Sequence, residues 1–187
     1  MVKLELKRHL YPLLVIFIFT AIFWIFRHHP WYNFIYLLFG LLWGAFLLDL
    51  DHFLYWYFLK PNLEESQSVQ TAVKNKNLTA VLKILEATHK THTSLIFHHF
   101  FFQSVLVVVS LFAFTSSQSI FITSLLLALN VHLLVDEITD YRQDPSHLQN
   151  WLFAREKKQL PQKYLKYYLA IFSVLALIFF LLLINKT

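Results

Sequence analysis

Read from its N-terminus, the chain alternates between long apolar runs and short polar connections. Residues 10–26, 31–48, 93–115, 119–135 and 167–184 contain no Lys, Arg, Asp or Glu. A membrane-spanning helix needs about 20 mostly apolar residues, so each run predicts a helix of spanning length. With their flanks the expected spans are 10–26, 31–52, 93–115, 119–138 and 164–184. The second run resumes after a polar interruption as residues 53–59, which leaves open whether that helix extends, bends or lies along the interface. The expected fold is an all-α integral membrane protein: a single membrane domain over residues 1–187, built as a bundle of about five transmembrane helices. Loops 60–92 and 139–163 each contain a stripe at helical spacing: Leu78, Val81, Leu82 and Leu85 in one, Leu148, Trp151 and Leu152 in the other. Short interfacial helices on the cytoplasmic side fit this pattern. Packing against the end of the bundle fits it equally.

Composition narrows the class. Hydrophobic residues make up 57% of the chain and charged residues 14%, against roughly 25% charged in soluble domains. There is no cysteine, which excludes thiolate zinc sites, iron–sulfur clusters and a cysteine nucleophile. All 16 Lys and Arg except Arg27 and Lys186 fall in the N-terminal segment, residues 60–92 or residues 139–166. Five spans place those segments on one side, and positive loops stay cytoplasmic. The N-terminus is therefore expected inside and the C-terminus outside. The formal net charge of +5 then complements the anionic inner leaflet, and a nucleic-acid partner is not needed to explain it. Lys3, Lys7 and Arg8 precede the first run as in a signal peptide. That run is longer than an ordinary signal core and no small-x-small site follows it, so it reads as a retained anchor.

The ionisable residues are not scattered. Span two ends in Asp49-Leu50-Asp51-His52, span three opens with His89 and His92 and carries His98-His99 further in, and span four holds Asn130, His132 and Asp136. The five-span topology brings all three motifs to the cytoplasmic boundary. The charge map that set this topology used no His or Asp, so their convergence is independent of it. His132 and Asp136 are four apart and share a helical face, as do Asp49 and His52 at three apart. Asp51 points away from Asp49 on a regular helix, so either the backbone unwinds or one Asp supports the ligands from behind. Imidazole and carboxylate together suit zinc, manganese or iron(II), with room for two ions. The expected metal ligands are Asp49, Asp51, His52, His92, His132 and Asp136, with His89 and His99 in reserve. Taken singly, each motif reads as hydrogen-bonded packing or an interfacial ion pair, His98, His99 and Asn130 above all; three motifs on one face favour a metal. His9, His28 and His29 read as structural.

These stretches resemble the YdjM-like family of bacterial inner-membrane proteins, described as LexA-binding, metal-dependent hydrolases. That family carries Pro-Asp-x-Asp-His, His-Arg-Gly-x-Thr-His-Ser and His-x-x-x-Asp. Asp49-Leu50-Asp51-His52 matches the first, with Leu48 in place of Pro. Thr91-His92-Thr93-Ser94 is similar to the second; the leading His stands at 89, Ala87 occupies the expected place, and the Arg-Gly pair is missing. His132-Leu133-Leu134-Val135-Asp136 matches the third, and Glu137-Ile138-Thr139 continues in the family's style. The resemblance covers residues 40–140 and implies an inner-membrane, metal-dependent hydrolase.

The expected function is a membrane-embedded, divalent-metal-dependent hydrolase at the cytoplasmic leaflet, acting on a phosphoester of a lipid. Zinc stands first, with manganese or iron as alternatives. Asp51 or Asp49 would be the catalytic general base, and the nearby Lys and Arg would draw in an anionic lipid head group. Two other classes stay open: a His-rich di-iron lipid oxidase or desaturase, and a non-catalytic docking protein with a partner at the cytoplasmic loops. The chain has no His-Glu-x-x-His, Gly-rich phosphate loop or Gly-x-Ser-x-Gly.

Overall fold

The computed structural model describes residues 2–88 and 91–186, and among them every regular element is helical. The elements are α1 (Val2–Phe26), α2 (Trp31–Phe46), α3 (Leu50–Leu54) followed by a π-helical turn (Tyr55–Leu59), α4 (Glu64–Lys74), α5 (Leu78–Thr88), α6 (Phe100–Ser116), α7 (Ile120–Gln143), α8 (Pro145–Leu152) and α9 (Gln162–Ile184). Among the described residues, four stretches are long and apolar enough to cross a membrane: Lys7–Phe26, Trp31–Leu59, Ile120–Gln143 and Gln162–Ile184. The fifth apolar helix, α6, has 17 residues. It begins at Phe100, seven residues after the start of its apolar run.

Helix directions follow from contacts at one end of the bundle. The Trp24 indole near the end of α1 donates to the Ile184 carbonyl at the end of α9 (3.1 Å), and the Arg27 guanidinium donates to the same carbonyl and to Asn185 Oδ1. The Lys186 ammonium donates to the Ser117 carbonyl that closes α6 (2.6 Å). Helices α1, α6 and α9 therefore finish together, and α2 and α7 start there. Arg27 and Lys186, the two basic residues absent from the other end, satisfy helix C-terminal carbonyls, where the macrodipole favours a cation.

Helix α7 is the central element, touching α1, α2, α6, α8 and α9. Every residue of its Leu126–Leu133 stretch is buried. Its closest neighbour is α2, and the reason lies in small residues. A Cβ on Gly40 would stand 2.0 Å from Ser124 Oγ and 2.7 Å from the Phe121 carbonyl; one on Gly44 would stand 2.4 Å from Ala128 Cβ and 2.8 Å from the Leu125 carbonyl. The two backbones nearly touch along this line, as the Gly-x-x-x-Gly spacing permits by leaving no Cβ between them. Polar pairs add to it. Asn130 donates to Ser110 Oγ of α6 (2.9 Å), while buried Glu137 accepts from Gln103 of α6 (3.1 Å) and from the Tyr168 hydroxyl of α9 (3.2 Å). Asn130 is thus a packing residue.

The two amphipathic loop segments both pack on the bundle's other end. In α8, Leu148, Trp151 and Leu152 are buried against Leu165, Tyr168 and Leu169 of α9. Asp144 caps that helix, accepting from the Ser146 and His147 amides. Val81 of α5 joins Val69 and Ala72 of α4 and Tyr55 and Trp56 of the π turn, while Leu78 and Leu82 stay exposed.

The glycine contact makes a direct prediction. Gly44→Ala must push α2 away from the Leu125 carbonyl, and thermal or denaturant unfolding in detergent should show a loss of about 1–3 kcal/mol. Ala128→Gly in the same chain should recover part of it by removing the nearer obstacle.

Candidate metal centre

The centre is built where α2 ends. Its last turn tightens: the amides of Asp49, Leu50, Asp51 and His52 bond three residues back, to the carbonyls of Phe46, Leu47, Leu48 and Asp49. This 3₁₀ winding carries Asp49 and Asp51 past the register of a regular helix, and Asp51 takes the supporting place behind His98 that the spacing left open. Because the Asp49 amide turns to Phe46, the Ala45 carbonyl is left to accept from His132 Nδ1 (2.9 Å). A carbonyl can only accept, so Nδ1 carries the proton and Nε2 is the face His132 presents to its surroundings.

Carboxylates surround that nitrogen. His132 Nε2 is buried with no hydrogen-bond partner in regular geometry, yet it stands 3.3 Å from Asp136 Oδ2 and 3.7 Å from Asp49 Oδ1. His9, at the start of α1, stacks on His132 with ring centres 4.1 Å apart and places its Nε2 3.3 Å from Asp136 Oδ1. Ligand atoms of His9, His132 and Asp136 all lie within 4.8 Å of one another, so this group could hold a metal ion. The fit is chemical as well as spatial. A tetrahedral ion with bonds near 2.1 Å has ligands roughly 3.4 Å apart, close to these separations. Two imidazoles and one or two carboxylates are an ordinary donor set for such an ion.

His98 ties the centre to the chain before α6. Its Nε2 lies 3.6 Å from Asp136 Oδ2 and its Nδ1 3.4 Å from Asp51 Oδ2. Asp51 is fully buried and accepts from the backbone amides of Ile96 (3.0 Å), Phe97 and His98 (3.3 Å). Those contacts hold residues 91–99 in an irregular path where the apolar run alone predicts helix. This non-helical backbone is tolerated because protein groups satisfy its amides.

The six expected ligands thus divide. Asp49, His132 and Asp136 come together, joined by His9 and His98. Asp51 clamps the irregular segment. His52 and His92 form a neighbouring buried group: their Nδ1 atoms are 2.8 Å apart, His92 Nε2 bonds Glu65 Oε1 of α4 (3.0 Å), and Tyr55 stacks on His92. The ring of His52 is 6.3 Å from that of His98, so the two groups adjoin without merging. His99 caps α6, accepting from the Phe101 amide, and sits beside Arg155 and Glu156. His89 lies outside the described residues. His29 stacks on Trp24 at the opposite end.

His9 was read from the sequence as structural, and His98 as a packing residue. Their readable signal was position: the charge map already put the N-terminal segment and the start of span three on the same face as His132.

The geometry separates the two Asp residues. Asp51→Asn removes a fully buried charged acceptor from three backbone amides and should cost about 2–4 kcal/mol of stability, measured by unfolding in detergent. Asp49, whose side chain is 44% exposed, should change stability by less than ~0.5 kcal/mol as Asn and instead weaken divalent-ion retention, read by elemental analysis. Equal destabilisation by the two would contradict this division. Comparison with protein-family models, curated proteins and solved structures finds no match to this chain, so the reading of the centre rests on its own chemistry.

Proposed function

We propose that the chain spans the bacterial inner membrane five times, with its N-terminus in the cytoplasm and C-terminus outside, and hydrolyses a phosphoester of a membrane lipid at the cytoplasmic leaflet with a divalent ion, zinc first. The observation that carries this reading is the buried His132 Nε2, its tautomer fixed by Ala45, facing Asp136 with His9 and Asp49 around it. A lone pair buried among carboxylates calls for a cation or a proton, and three donors at ligand spacing favour the cation. The four long apolar helices support insertion, and α6, at 17 residues, reaches the lower limit for a fifth span.

His9, His132 and Asp136 would hold the ion, with Asp49 at the rim. Bound there, a divalent ion polarises a phosphoryl oxygen and acidifies water. The chain supplies the rest. Asp49 is the more accessible carboxylate and would take a proton from an attacking water. Asp51 is committed to backbone amides and keeps His98 on Asp136. Lys7 and Arg8 on α1, with Arg155, Lys157 and Lys158 after α8, make this end positive and attract an anionic head group rather than nucleic acid. An oxidase of the di-iron kind needs its histidines on one point; here His92 faces Glu65 and His99 caps a helix, which favours hydrolysis.

The test uses inner-membrane vesicles turned inside out, whose outer face is the cytoplasmic leaflet. Wild type should release phosphate or head group from the native lipids, stop with a chelator and resume with zinc. Asp136→Ala should release about 100-fold less or lower. Equal release by the two proteins would overturn hydrolysis and leave docking at the cytoplasmic loops. Release confined to right-side-out vesicles would overturn the orientation.

A further inference from the structure

The surface between α1 and α2 contains a cavity of about 390 Å³. Lys7, Leu10, Leu14 and Phe17 line it from α1, and Leu38 and Leu42 from α2. The α1 residues recur three and four apart, so a single face of that helix carries a cation at its inner end and hydrocarbon beyond it. Leu14, Leu38 and Leu42 remain exposed, so the groove opens sideways toward the surrounding lipid. Its charged end lies two residues from His9, within one turn of the candidate metal centre. A second depression of about 370 Å³ around Phe39, Trp43 and Phe46 has no charged side chain among its lining.

That contrast decides what each groove can select. A hydrocarbon tail gains little by leaving bilayer for an apolar groove, because both are equally apolar. Apolar walls alone therefore fix position but choose no lipid. A wall that ends in an ammonium adds a head-group preference, since Lys is a compact charge suited to phosphate. It also brings that phosphate to a defined depth.

Resting on the hydrolase reading, we infer that the α1–α2 groove is the lateral seat of the substrate, a lipid with an anionic phosphate head. Its hydrocarbon chain lies along Leu10, Leu14, Phe17, Leu38 and Leu42. Lys7 holds the phosphate at the level of His9, so the ester approaches the centre from within the leaflet and already oriented.

The experiment is photo-crosslinking with the full chain in phosphatidylcholine vesicles, using phosphatidic acid that carries a diazirine on one acyl chain, in the presence of a chelator so that no turnover enters. Labels located to single residues should concentrate on Leu10–Phe17, Leu38 and Leu41, above Phe39, Trp43 and Phe46 on the uncharged side and Ile171–Ile178 on α9. Lys7→Ala should lower groove labelling about fivefold, the factor that corresponds to ~1 kcal/mol per interfacial Lys. Leu14→Trp, which fills the groove, should lower it with Lys7 intact. A phosphatidylcholine analogue of the probe should label the groove no more than the other faces. Even labelling by phosphatidic acid, unchanged by Lys7→Ala, would overturn the inference. The two readings fail separately: even labelling with head-group release retained removes the groove alone, whereas groove labelling with equal release by wild type and Asp136→Ala removes hydrolysis and leaves a lipid seat.

Discussion

Everything at the end of the bundle that holds the candidate metal centre depends on how closely α2 and α7 approach. Gly40 faces Ser124 and Gly44 faces Ala128, with no room for a Cβ at either glycine. One turn further along the same seam, this closeness lets a side chain of α7 reach the backbone of α2. His132 stands one turn after Ala128, and Ala45 is the residue after Gly44. The hydrogen bond between them fixes which imidazole nitrogen faces the carboxylates. Had the helices been held apart by ordinary side chains, the Ala45 carbonyl would lie out of reach. Packing thus fixes which ring nitrogen is aimed at the carboxylates, and so which atom can meet a cation.

The 3₁₀ turn after Phe46 is the second constraint. It releases the Ala45 carbonyl, swings Asp49 toward His132 and sends Asp51 in the other direction. Asp51 then organises residues 91–99 by accepting their amides, and His98 returns from that segment to Asp136. The result is a connected sequence of contacts, from the α2 backbone through His132, Asp136 and His98 to Asp51. Each member is oriented by the next. Such a buried polar network is stable only when nearly all its groups are satisfied. The buried Nε2 of His132, which lacks a regular hydrogen bond, marks where it is open to a ligand.

The broad architecture was legible because charge is excluded from five runs and concentrated at one set of loops. That exclusion is a solvent effect and is written directly into composition. The meeting of Asp49, His132 and Asp136 was legible for the same reason, once orientation placed their helix ends together. Other features were not. Helix α6 starts late because Asp51, far away in sequence, takes the amides of residues 96–98; an apolar run contains no sign of that. His9 lacks a spacing partner on its own helix, since its neighbours come from α7. The split of His52 and His92 toward Glu65 follows from α4, whose Glu64–Lys74 stretch carries no long apolar stripe. The close α2–α7 seam did leave a trace: the chain's two glycines stand four apart in the second run.

The central claim is that His9 and His132, from helices far apart in sequence, share one ion with Asp136. X-ray absorption at the edge of the bound metal reads this most directly. In the zinc-loaded protein the account predicts a nitrogen and oxygen shell near 2.0–2.2 Å, with imidazole scattering that falls in His9→Ala and falls equally in His132→Ala. Imidazole scattering unchanged by both substitutions would contradict it.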